Sequence, residues 1–190
     1  GDHRDLHSFP TRRSSDLAKE VQKLKDIEEI KVLKARYSDM CDSNHDWTQI
    51  KDLFAPDAKW IGDPTQPWGG GNNREEIEKL FQFYQTQMDG VPGVGVLGHN
   101  PMAPQITVAD DGVHATGKWH MFGAFRMFEG RAETGSKSFL EQGKYEDEYV
   151  KIDENGNLDP NGKWFISQLS FWDTLCASPQ DGWDDKVIQW

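Results

Sequence analysis

Two cysteines, Cys41 and Cys176, are all that this chain of 190 residues carries. They are too few for a disulfide framework, and no cluster of His, Cys, Asp or Glu has metal-ligand spacing. A reducing, cytoplasmic setting and no metal are therefore expected. Basic residues are also scarce: 21 Lys and Arg stand against 32 Asp and Glu, a net charge of -11. Nucleic acid and anionic membrane both require a basic footprint, so neither is expected as a partner, and the charge is read as serving solubility. No apolar run approaches membrane-span length, and no signal peptide is visible. Also missing are a nucleophile elbow, a dinucleotide fingerprint and a Cys–His signature; Gly69, Gly70 and Gly71 lack the Lys-Ser/Thr of a phosphate loop. What remains is acid–base chemistry from Tyr, Asp and His without a cofactor, which limits the candidate reactions to proton transfers and eliminations.

What the chain does have is rings. It holds 8 Trp, 10 Phe and 4 Tyr with only 36% hydrophobic residues overall. Rings concentrated where aliphatic side chains would pack suit a cavity for a flat or ring-shaped ligand, although many should simply fill the core of a β-rich fold. The length fits one domain. Residues 8–17 read like the in-frame translation of a common sequencing adapter, so residues 1–17 are set aside as a tail. The domain is placed at 18–177. The segment 178–190, with Trp183 and Trp190, is suited to covering a pocket mouth or a neighbouring subunit.

Along the domain the hydrophobic period changes once. From Glu20 to Cys41, Val21, Leu24, Ile27, Ile30, Leu33, Tyr37 and Met40 recur at three and four, predicting an amphipathic helix. Asp46-Trp47-Thr48-Gln49 has the pattern of a capping box and opens a short second helix through Phe54. Residues 58–62 read as a short strand and 63–73 as a loop in which Trp68 could cap a pocket. A third helix follows over 74–89 through Ile77, Leu80, Phe81 and Tyr84. After Pro92 the period falls to two, and residues 93–108, 113–128, 135–151 and 164–174 read as four long strands of an antiparallel meander. Helices followed by strands make an α+β pattern. The segment 153–162 lacks the glycine at the sixth place and the closing glutamate of a calcium loop, so it is read as a hairpin loop.

The candidates for chemistry gather at the junction of the first two helices. His99 follows a Gly-rich apolar run and begins a strand, a setting for a buried imidazole near neutral pKa; a structural histidine would be placed the same way. Tyr37 lies on the apolar stripe, so its hydroxyl needs a partner. Asp39, Asp42 and Asp46 all compete for the role of carboxylate, Asp46 having the better cap reading. On an ideal helix Asp42 stands about 140° round from Tyr37, so the two converge only if the helix ends near Cys41. Strand parity turns Trp119, Met121 and Phe125 inward and His120 outward. Phe139, Glu141, Gly143 and Tyr145 share a face of the next strand, where Glu141 or Tyr145 could add a polar group. Trp47, Phe54, Trp60, Phe81, Tyr84, Asn100 and Trp172 complete the expected lining.

Asp26-Ile27-Glu28-Glu29-Ile30-Lys31, Tyr37, Asp42 five residues on, Asp46-Trp47 and Leu53-Phe54-Ala55-Pro56-Asp57-Ala58 together resemble the opening of the SnoaL-like branch of the nuclear-transport-factor-two-like superfamily, which includes bile acid and scytalone dehydratases. The resemblance implies a cone-shaped, curved antiparallel or mixed sheet wrapped around three N-terminal helices and enclosing a pocket. It selects Asp42 as partner of His99, because the family's Tyr and Asp stand five apart, and it matches Gly98-His99 to the family's catalytic Gly-His pair. The segment 100–105 is longer than in the family, and Gly123 stands near where bile acid dehydratase carries an acid. The function implied is a lyase that uses Tyr37, Asp42 and His99 to eliminate water from a hydrophobic, ring-containing alcohol. A lyase releasing formaldehyde from a lignin-derived aromatic and a non-catalytic small-ligand-binding module are the alternatives. A homotrimer, or else a dimer, is expected by the same resemblance.

Overall fold

The computed structural model describes residues 14–66, 69–88, 98–128 and 136–177. The expectations for residues 1–13, Trp68, the start of the strand read from residue 93, residue 135 and the segment 178–190 lie outside these residues.

Helix α1 spans Ser14–Asp42, free of Gly and Pro. It begins earlier than its apolar stripe predicts, and the first half of that stripe is exposed: Val21 is 43% and Leu24 63% accessible. Only from Asp26 onward does the helix lie against the sheet, burying Asp26, Ile30, Leu33, Lys34, Tyr37, Ser38, Met40 and Cys41. Two of these are charged, and both find opposite charges on the fifth strand. Asp26 accepts from Lys151 Nζ at 2.7 Å and from the Trp164 indole at 3.0 Å. Lys34 Nζ donates to Asp147 at 2.8 Å. Burial without such partners would be costly.

The second helix is shorter than expected and in two parts, a 3-10 turn Trp47–Gln49 and α2, Ile50–Leu53. Asp46 opens it, accepting from Thr48 N–H and Oγ1 and from Gln49 Nε2. It stops at Leu53 because Phe54 already belongs to β1, Phe54–Ile61, which starts four residues before the expected strand. The two-residue strand β2, Gly70–Gly71, and α3, Arg74–Met88, follow.

Strands β3 (Asn100–Val108), β4 (His114–Phe128), β5 (Ser136–Ile152) and β6 (Lys163–Ala177) form the predicted antiparallel meander. The sheet order is β2-β1-β6-β5-β4-β3, with β1 parallel to β6, so the curved sheet is mixed and unclosed. The segment 100–105 carries a bulge: Met102 pairs with His120 and Gln105 with Lys118, and Ala103 sits at φ 50°. The loop 153–162 joins β5 to β6, Asp153 accepting from the N–H groups of Asn155 and Asn157. Among the described residues no helix is long and apolar enough to cross a membrane.

Candidate active site

The site grows from the end of α1. Tyr37 and Cys41, one turn apart, are both buried on the face turned to the sheet. Beyond Asp42 the chain leaves the helix through Asn44 and His45, both with left-handed backbone at φ 60° and 53°. That conformation is unfavourable for residues with a Cβ. It turns the His45 imidazole back over the pocket, between the rings of Phe81, Tyr84 and His99.

His99 reaches the same place from the start of the sheet. Its Nδ1 lies 2.7 Å from Asp42 Oδ1, and its backbone N–H donates to the same carboxylate at 3.0 Å. Of the three carboxylates left open by spacing, Asp42 is therefore the one that faces His99. Asp46 is taken up by its cap, and Asp39 is exposed. The side chain of His99 is 14% accessible and its ring packs edge-on against Phe125 at 4.9 Å.

The walls of the pocket are mostly aromatic. Tyr37, Trp60, Phe81, Tyr84, His99, Met121, Phe125 and Tyr145 line it, together with Cys41, His45, Phe139, Glu141 and Phe171. Five expected lining residues lie elsewhere. Phe54 is fully buried behind Tyr37, and Trp47 is half-buried against the core. Trp119 points inward but into a separate polar cluster, donating to the Tyr149 hydroxyl. Asn100 is exposed and holds the carbonyls of Gly98 and Phe122. Trp172 stands on the outer face, opposite Lys144, while its neighbour Phe171 points in. Strand parity applied to β6 would have favoured Phe171 and applied to β5 would have added Phe139. Cys41 could have been found one turn after Tyr37. Nothing in the local sequence announces His45, because its position depends on the left-handed turn.

Burial controls the protonation states. Desolvation, with Cys41 and Tyr145 adding to it, raises Tyr37 well above the ordinary phenol value, and Trp60 Nε1 donates to its hydroxyl at 3.1 Å. Burial pushes the Cys41 thiol up to about 12. Burial, then the nearby His99, lowers His45 to about 3, which leaves it a neutral imidazole. Glu141 is raised well above the carboxylate range, first by burial and then by its hydrogen bond and charge interaction with Asp173. The backbone N–H of Asp173 in turn donates to buried Asp63 at 3.2 Å. The pocket thus offers neutral donors, one carboxylate-held imidazole and, from Cys41, His45 and His99, three possible metal-ligating atoms within 4.8 Å of one another.

A family model for the SnoaL-like domain matches residues 22–170. The chain belongs to the SnoaL-like domain family. Solved structures agree at the level of the fold. A protein from Novosphingobium aromaticivorans DSM 12444, provisionally assigned as a scytalone dehydratase, superposes with TM-score 0.64 at 17% identity, over 88% of this chain and 94% of that one. An ntf2-like protein with a cystatin-like fold from Novosphingobium aromaticivorans gives 0.59 at 20% identity, covering 85% and 90%. Hexachlorocyclohexane dehydrochlorinase LinA-type3 from Novosphingobium barchaimii LL02 gives 0.63 at 13%, covering 90% and 98%. Close packing surrounds Gly123 in this SnoaL-like chain. A Cβ on Gly123 would run into the Phe125 ring and stand 2.6 Å from the Gly98 carbonyl, so no acid fits there. Gly123 pairs across the sheet with Glu141.

Proposed function

We propose that this SnoaL-like pocket is the active centre of a lyase that eliminates water from a hydrophobic, ring-containing alcohol by acid–base chemistry of its own side chains. The observation that carries the reading is the double attachment of His99 to Asp42, through ring and backbone, at the wall of an aromatic chamber. A carboxylate on Nδ1 fixes the tautomer that leaves Nε2 as the basic nitrogen and stabilises the imidazolium once formed. His99 Nε2 takes a proton from carbon beside an activating group. Tyr37, neutral and held by Trp60, donates to the oxygen on which negative charge develops. Glu141, held protonated beside Asp173, returns a proton to the departing hydroxyl, so the acid sits across the sheet from Gly123. The dehydratase and dehydrochlorinase relatives, which share the fold, support an elimination.

The test is turnover of a panel of ring-containing secondary alcohols, followed by mass spectrometry for loss of water. His99→Ala is expected to lower kcat by about 10²–10⁴-fold. Asp42→Asn should lower kcat more than it raises KM and should displace the pH–rate profile. Tight binding without turnover across the panel would make the pocket a ligand-binding module; release of formaldehyde would move the reaction to carbon–carbon cleavage. The same reading includes a homotrimer, which light scattering of the purified chain would check.

A further inference from the structure

The pocket contains a donor set that proton transfer does not need. Cys41 Sγ and one ring nitrogen each of His45 and His99 lie within 4.8 Å of one another, on groups that are buried or nearly so. One sulfur with two imidazoles is chosen by borderline and soft cations such as zinc; magnesium and calcium prefer oxygen.

One observation points to a ligand at this position, and two features of the geometry accord with it. His45 is only 7% accessible, yet its Nδ1 has no hydrogen-bond partner. Leaving a buried polar atom unpaired costs about 1–3 kcal/mol, which coordination would offset. His45 and the preceding Asn44 both hold left-handed backbone, and that turn is what brings the imidazole above Cys41, four residues earlier. Finally, Asp42 grips His99 through Nδ1, which frees Nε2; this is how a carboxylate orients a metal-bound histidine.

We propose that Cys41, His45 and His99 form a zinc site in the pocket wall, its fourth position open to the cavity. Tetrahedral coordination with Zn–S near 2.3 Å and Zn–N near 2.0 Å needs the three atoms about 3.3–3.5 Å apart. The side chains must therefore draw together by roughly 1 Å, a movement of χ angles with the backbone left in place. Binding releases the Cys41 thiol proton to solvent. One thiolate leaves the zinc with a single positive charge, which Asp42 balances from behind His99. The site goes beyond the elimination reading and does not depend on it. Coordination uses the His99 nitrogen assigned above as base, so zinc binding and proton abstraction exclude each other.

Cobalt(II) added to the full chain under anaerobic conditions reads the site without any substrate. The expected result is one equivalent bound, with a sulfur-to-cobalt charge-transfer band in the near ultraviolet and the strong visible bands of a tetrahedral ion, all displaced by zinc. Cys41→Ser should abolish the charge-transfer band, and Cys176→Ser should leave it. His45→Gln should weaken binding at least tenfold. Asp42→Asn, which acts through His99, should weaken it about 10–100-fold. X-ray absorption of the zinc-loaded wild type needs no variant and should report one sulfur and two nitrogens among the ligands. An unchanged band in Cys41→Ser, a zinc shell without sulfur, or no binding at submillimolar metal would overturn the site. None of these outcomes bears on whether the apo protein eliminates water.

Discussion

Glu141 is a carboxyl group whose surroundings oppose its charge. Asp173 lies beside it, Tyr145 and Cys176 are its other titratable neighbours, and burial dominates them all. Its proton is held in the folded chain at pH values where the unfolded chain, near the ordinary 4.5, has released it. That contribution to stability is full below the unfolded value and is lost as pH rises toward the folded one. Cys176, raised by burial to about 11, does not titrate in this window. Buried His45, lowered to about 3, works in the opposite sense up to its ordinary 6.5, so the melting temperature of the wild type is expected to fall between about pH 7 and pH 9, and that of Glu141→Gln to stay flatter. Each 1 kcal/mol of difference at the alkaline end would read as about 2–4 °C by calorimetry. If elimination is the reaction, the same variant should lose kcat while retaining ligand affinity.

At the scale of elements, β4 positions the site by what it omits. Gly123 lets the Phe125 ring lie across the strand and lets the Gly98 carbonyl approach, and Gly98 is the residue that delivers His99. Gly143 does the same on β5 for Phe171. Gly123→Ala is expected to cost about 1–3 kcal/mol by urea denaturation, as overpacking of a filled space does. It should also move the His99 ring resonances in an NMR spectrum, because the strand and the segment before β3 must part. Pocket residues come from α1, β1, α3, β4, β5 and β6, so no element carries the site alone.

At the scale of the molecule, two buried ion pairs tie the long helix to the sheet, and the Lys34–Asp147 pair is the one next to the pocket residue Tyr145. Lys34 and Asp147 have fully buried side chains, and the ammonium lies 3.4 Å from the centroid of the Tyr145 ring. Burial lowers the pKa of Lys34 and raises that of Asp147, each opposed by the other's charge. Tyr149 donates to the same carboxylate at 2.7 Å and accepts from Trp119. Lys34→Met should destabilise by about 3–5 kcal/mol, because it strands a buried carboxylate. Lys34→Met combined with Asp147→Leu should recover much of that loss, since hydrocarbon of similar volume replaces both charges. Denaturation midpoints of the single and double variants, taken as a cycle, measure the coupling.

Periodicity was enough to locate the first and third helices and the four long strands, because both follow from side chains alternating between a wet and a dry face. It also turned Met121 and Phe125 inward and His120 outward on β4. It failed where position depends on a partner that arrives from elsewhere in the chain. Lys34 and Asp26 break the apolar stripe of α1 because their counter-charges lie on β5, and Trp172 was taken for the wall that Phe171 occupies. The pairing of Asp42 with His99 spans 57 positions, and spacing alone left Asp39 and Asp46 as equals. His45 is the clearest case: a left-handed turn sets its direction, and only the assembled rings around it make that turn worth its strain. The order of elements follows from local chemistry along the chain, whereas the contents of the pocket follow from burial, which is a property of the closed structure.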